Sequence, residues 1–96
     1  MKDDLLKIIN HYGVMNQLKY FQSEVFELNE AIFIALSDDT ISLDVEHITE
    51  EIADVQVMLN QFKYYYGITD EDIKEVMEYK INRQLERIKN EQRSNI

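Results

Sequence analysis

Apolar residues recur along this chain at alternating spacings of three and four, the period of a helix with one buried stripe. Val14, Leu18, Phe21, Val25, Leu28, Ile32 and Ala35 carry that spacing and predict a long helix from about Val14 to Leu36. Val45, Ile48, Ile52, Val55, Leu59, Phe62 and Tyr66 repeat it. They predict a second long helix, capped by Ser42 or Asp44 and ended by Gly67 in a left-handed conformation. A third runs through Ile73, Met77, Ile81, Leu85 and Ile88. Thr69 opens it with Asp72 three residues on, a capping box with Asp in place of the usual Glu or Gln. Beyond about Asn90 the sequence turns polar, so this helix is expected to fray there. At the start, Asp3 or Asp4 caps a short helix of about ten residues through Leu5, Leu6, Ile8 and Ile9, ending near Gly13. Ser37-Asp38-Asp39-Thr40 has the polar, turn-forming composition of a loop.

Three long helices and one short one, joined by brief connections, predict an all-α antiparallel bundle formed by one domain over residues 1–96. The absence of proline and the presence of only two glycines agree with it. Ninety-six residues lie near the lower end of what buries its own core. Phe26, Phe33 and Ile34 fall off the main stripe of their helix, which predicts a second buried face and completion of the bundle by oligomerisation. With no cysteine, disulfides and thiolate zinc sites are excluded. No apolar run is long enough to span a bilayer and no signal-peptide core opens the chain, so the expected location is the cytoplasm.

A formal charge of −9 argues against binding to nucleic acid or to an anionic membrane. The acids are also placed in a pattern. Glu24 and Glu27 lie three apart on the first long helix, and Glu51 and Asp54 repeat that spacing on the second. Residues three apart on a helix point the same way, and each of these four precedes an apolar residue, so they are expected to flank the packing seam. Antiparallel packing of the two helices would converge four carboxylates, and such crowding requires a cation. An all-oxygen ligand set suits magnesium, manganese or calcium better than zinc or copper. A di-iron bundle would need Glu-x-x-His on two helices, whereas Asp44-x-x-His47 occurs once. His47 and His11 read as polar residues near helix ends. Glu50, about 100° around the helix from Glu51, reads as a solvated neighbour.

Glu24-x-x-Glu27, a gap of 23 residues, and Glu51-x-x-Asp54 together resemble the signature of the MazG-like all-α NTP pyrophosphohydrolases. His11-Tyr12-Gly13-Val14-Met15-Asn16-Gln17 and Lys80-Ile81-Asn82-Arg83-Gln84-Leu85-Glu86-Arg87 are similar to the flanking text of phage and Gram-positive members. The resemblance covers nearly the whole chain. It implies cleavage of a nucleoside triphosphate between its α and β phosphates, giving the monophosphate and pyrophosphate, in the service of nucleotide-pool cleaning. It further implies magnesium, for which manganese can substitute, held by Glu24, Glu27, Glu51 and Asp54, with Glu24 or Glu27 also orienting the attacking water. Lys80 and Arg83, then Arg87, are the implied contacts to phosphate oxygens. Relatives usually assemble as dimers or as tetramers built from dimers. Two places depart from the pattern. Many relatives carry a doubled glutamate where this chain has Ser23. Where relatives often show a lysine followed by an asparagine and an arginine at helical spacing, Lys80, Gln84 and Arg87 fall on one stripe with Arg83, while Asn82 points elsewhere.

Gln17 and Asn16 precede the first acid pair by about two turns, which places an amide within reach of a nucleobase edge if the pocket follows that helix. Phe21 or one of Tyr64, Tyr65 and Tyr66 could stack on such a base, although Phe21 and Tyr66 sit in the packing register. Tyr64 and Tyr65 are alternatively oligomer contacts. The competing expectation is a noncatalytic acidic helical interaction module that keeps the bundle without turnover.

Overall fold

The computed structural model describes residues 1–37 and 41–94, with the side chains of 41–44 outside that description. Four helices account for nearly all of it: α1 (Lys2–Tyr12), α2 (Val14–Ser37), α3 (Ile41–Tyr65) and α4 (Asp70–Ser94). The loop expected at 37–40 is corrected at its first residue, since Ser37 is the last residue of α2, its hydroxyl donating to the Phe33 carbonyl at 2.9 Å. Residues 38–40 lie outside the described residues. Ser42 and Asp44, expected as caps, fall inside α3, which already begins at Ile41.

The local signals act as their chemistry dictates at three of the helix ends. Gly13 alone separates α1 from α2, at a φ of 91° that favours glycine. Its N–H closes α1 on the Ile9 carbonyl at 2.9 Å, and its own carbonyl accepts from the Gln17 N–H at 3.0 Å. Gly67, at φ 69°, ends α3 in a Schellman turn. There the Ile68 N–H donates to Lys63 and the Gly67 N–H to Tyr64. Thr69 and Asp72 form the reciprocal capping box: the Thr69 N–H donates to Asp72 Oδ2 and the Asp72 N–H to Thr69 Oγ1, both at 3.0 Å. The first of these bonds holds the Asp72 carboxyl below its usual range. Lys63 and Asp70 form an ion pair across the α3–α4 turn.

Two terminal expectations need correction. Asp3 and Asp4 lie in the first turn of α1 and make no side-chain cap bond, the cap position being Met1. Their contribution is to the favourable end of the helix dipole. Helix α4 does not fray at Asn90 but continues to Ser94, where the hydroxyl bonds back to the Asn90 carbonyl.

Helices α2 and α3 pack along their lengths, and α1 lies chiefly on α3 and secondarily on α2. The pairing is antiparallel, since Gln17 meets Gln61 while Glu24, later on α2, meets Asp54 and Glu51, earlier on α3. Leu5 and Ile9 of α1, Ala31 of α2 and Met58 of α3 are buried, and Phe21 packs edge-on against Phe62 with ring centres 5.6 Å apart.

Apart from the Lys63–Asp70 ion pair at its first residue, helix α4 does not pack against the other three among the described residues, and every one of its residues is exposed, including Ile73, Met77, Ile81, Leu85 and Ile88. The radius of gyration, 17.5 Å, accordingly exceeds the roughly 12 Å of a compact chain of this length. The described residues of a single chain therefore form an all-helical α1–α3 unit with a fourth helix standing off it. The three long helices do not close on one another within one copy.

The buried faces are also rotated from the apolar stripes. On α2 the buried positions are Gln17, Glu24 and Ala31, seven apart, while Leu18 and Ile32 are partly exposed. On α3 the inward line runs through Ile48, Glu51, Val55, Met58 and Phe62, leaving Val45, Ile52 and Leu59 exposed, as is Tyr66 just past its end. The reason is geometric. The stripe is wider than the contact, and with α4 absent from the bundle its outer edge has nothing to cover it.

Candidate metal centre and adjoining cleft

That rotation places acids inside the α2–α3 seam. Glu24 is only 6% exposed, Glu51 is half-buried and Asp54 is exposed at the rim. One carboxylate oxygen from each lies within 4.8 Å of the others. Glu24 thus occupies the middle of the contact face, and the expectation that all four acids flank it is corrected for this residue. Glu27 is exposed and stands outside the close trio, although its charge reaches Glu24. Glu50 is exposed, as expected of a solvated neighbour.

The electrostatics of the trio are unfavourable as they stand. Burial, then the charge of Glu27, and also those of Asp54 and Glu51, raise the Glu24 carboxyl above its ordinary range, while the neighbouring Tyr20 hydroxyl pulls it down. The Glu24 charge in turn pushes the Tyr20 hydroxyl above its usual range. Glu24 Oε2 and Glu51 Oε2 are buried without a hydrogen-bond partner. The Nε2 of His47, one turn earlier on α3, lies 3.9 Å from Glu51 Oε1, with its own side chain mostly exposed. Buried carboxylate oxygens that lack donors fit a hard divalent cation, and the all-oxygen donor set excludes a soft-metal preference.

Beside the trio lies a cleft of about 640 Å³ between α1, α2 and α3. Glu24 and Asp54 stand at its acidic part, Ile8, Val57 and Met58 provide apolar wall, and Tyr12, Tyr20, Asn16, Gln17 and Gln61 complete it. Gln17, singled out from the sequence, is buried here and donates from Nε2 to Gln61 Oε1 at 2.8 Å. Asn16 spends its amide on the Tyr12 carbonyl at 2.8 Å. Phe21 packs on Phe62, and the cleft's aromatic residues are instead Tyr12 and Tyr20. Tyr64, Tyr65 and Tyr66 do not line it; Tyr64 lies under Lys63, and Tyr65 and Tyr66 stack edge-on with each other.

The basic candidates are elsewhere. Lys80, Arg83 and Arg87 are on α4, exposed, and the single chain does not bring them to the carboxylates. Arg83 lies over the Tyr79 ring and Arg87 donates to Gln84.

Gln61, Tyr12 and Tyr20 were not legible as site residues. Gln61 lies one position from Phe62 of the apolar stripe. The available signal was polar alignment: Gln17 and Glu24 are seven apart on α2, and Gln61 and Asp54 are seven apart on the antiparallel neighbour.

No described helix is long and apolar enough to cross a membrane. Compared with models of known protein families, with curated proteins and with solved structures, the chain matches none of them.

Proposed function

We propose that this chain is a magnesium-dependent nucleoside triphosphate pyrophosphohydrolase of the MazG-like kind, acting in nucleotide-pool cleaning. The observation that carries the reading is the carboxylate trio from two antiparallel helices, with its partnerless buried oxygens, opening onto a cleft large enough for a nucleoside. The sequence supports it independently, since these acids fall in the two spaced pairs that resemble the family's signature. A dication bound there would screen the phosphates and polarise the attacked phosphorus; manganese could replace magnesium.

Glu24, Glu51 and Asp54 hold the ion in this reading, with Glu27 joining from the rim. In the reaction a water oxygen bonds to phosphorus as the α–β bridging P–O bond breaks, and pyrophosphate leaves. The carboxylate of Glu24 or Glu27 orients the water and takes its proton. Ser23 cannot share that task, because its hydroxyl bonds the Tyr20 carbonyl and is a poor base.

A second copy completes the assembly as a homodimer or as a homotetramer built from dimers. Residues 1–69 carry 4 basic and 12 acidic side chains, while 79–94 of α4 carry 5 basic and 2 acidic ones. The basic half of α4 is therefore complementary to another copy's acidic unit. That docking would cover the exposed stripe and bring Lys80, Arg83 and Arg87 towards the phosphates of a neighbouring site.

The test is a panel of ribo- and deoxyribonucleoside triphosphates incubated with the protein and magnesium. Pyrophosphate is released from at least one, and Asp54→Asn abolishes the release without loss of helix content. A blank panel would overturn the hydrolase reading in favour of a noncatalytic helical module.

A further inference from the structure

The cleft holds a polar feature that hydrolysis itself does not use, the buried amide pair of Gln17 and Gln61. Their bond runs from Gln17 Nε2 to Gln61 Oε1. Among the described residues Gln17 Oε1 has no donor, and the second contact of Gln61 is from Nε2 to Met58 Sδ at 3.7 Å, a weak acceptor. An amide offers a donor and an acceptor of nearly the same shape. If both side chains turn over, Gln61 Nε2 donates to Gln17 Oε1 and the bond between the helices is kept in the opposite sense. What changes is the free end of Gln17, a carbonyl oxygen in one setting and an N–H in the other. The loss is only the weak sulfur contact, so the two settings lie close in energy.

We propose that Gln17 and Gln61 are a reversible nucleobase reader: Gln17 accepts from an exocyclic amino group or donates to an exocyclic carbonyl, and Gln61 reverses its own amide to match. The inference rests on the nucleotide reading of the site. Gln17 precedes Glu24 by seven residues, about 10 Å along α2, which suits a ligand whose base lies by the amides and whose phosphates lie by the acids. Ile8, Val57 and Met58 supply the apolar wall that a base needs on its faces. The device predicts tolerance: cytosine and uracil nucleotides, which differ at the position read, are both accepted.

The experiment follows the side-chain amide resonances of Gln17 and Gln61 in the intact ¹⁵N-labelled protein as UMP or CMP is added with magnesium. Both nucleotides are expected to shift both amides, with affinities within about tenfold of each other. In Gln61→Glu, studied at alkaline pH, residue 61 can only accept, so Gln17 must donate to it and present its carbonyl to the base. The CMP-to-UMP affinity ratio then rises about tenfold or more, because uracil meets an acceptor with an acceptor. Amides that stay silent, failure of both monophosphates to bind, or a hundredfold preference in the wild-type protein would each overturn the reader. The wild-type titration decides this even where the variant does not fold. Shifting amides without pyrophosphate release from any triphosphate would overturn the hydrolase reading alone, whereas release with silent amides would overturn the reader alone.

Discussion

Replacing Glu24 by Gln removes one charge from the middle of the α2–α3 seam while keeping the side chain's shape. In the metal-free protein Glu24 Oε2 is buried and unpartnered, a condition that costs about 1–3 kcal/mol and more for a charged group. Two unit charges at the trio's outer separation of 4.8 Å repel by roughly 3 kcal/mol at an effective dielectric of about 20. Exposure of Asp54 reduces that pair towards about 1 kcal/mol. The introduced amide can donate to a neighbouring carboxylate where Glu24 only repels it. A gain of about 2 kcal/mol is the low end of this sum, and it raises the thermal midpoint by roughly 10 °C in a domain this small. Magnesium has the opposite dependence on the charge: at a hundredfold excess over its Kd it stabilises the wild type by about 2.7 kcal/mol. The variant loses most of that response. Circular-dichroism melts at fixed protein concentration, in chelator and in millimolar magnesium or manganese, measure both effects. Wild-type protein that melts at one temperature in all three buffers, together with Glu24→Gln no more stable than wild type in chelator, would refute the metal-centre reasoning.

Two further outcomes follow from the same structure. Because folding raises the Glu24 carboxyl above its ordinary value of 4.5, the folded state holds this proton more tightly than the unfolded chain. Its contribution is most favourable below about pH 4.5 and is lost as pH rises through the higher folded value, so in chelator the stability gap between Glu24→Gln and wild type closes on acidification; a gap that widens instead would contradict the burial argument. For the fourth helix, sedimentation of the wild type should give at least twice the 11.5 kDa chain mass, and Met77→Glu combined with Leu85→Glu should return it to the chain mass. Both side chains are exposed in the single chain, so assembly that survives the double substitution would place the interface elsewhere.

Features that a few neighbouring residues determine were legible from the sequence. Thr69 and Asp72 close their capping box, and Gly67 takes the left-handed cap, because each needs only atoms within one turn. The spacing of apolar residues gave four helices and the antiparallel meeting of α2 with α3. It did not give their rotation. Periodicity assigns the buried face to the most apolar side, yet the true contact face depends on which neighbours arrive. Here α1 packs on α3 and α4 does not, so Ile52 and Leu59 stay half-exposed while Glu24 and Gln61 are buried. The acid spacing correctly brought Glu24, Glu51 and Asp54 together, whereas Glu27 falls outside the close group for the same rotational reason. Lys80, Arg83 and Arg87 could not be related to the acids from spacing along α4, since no spacing states what that helix packs against.

The rotation also links stability to function. Among the described residues the buried positions are four apolar side chains, Leu5, Ile9, Ala31 and Met58, and three polar ones, Gln17, Glu24 and Gln61. Burying an apolar side chain contributes about 1.5–3 kcal/mol, while ordering each residue's backbone costs about 1–2 kcal/mol. So slight a core in a 96-residue chain leaves little surplus to offset a buried, unpartnered carboxylate. On the proposed reading the missing stabilisation comes from outside the single chain. A dication neutralises the seam, and a second copy covers the stripe of α4. Binding free energy at the site is then also folding free energy, and a residue that improves one in isolation worsens the other. Glu24→Gln is the sharpest instance: the charge that makes the empty seam costly is the charge that makes it a metal site.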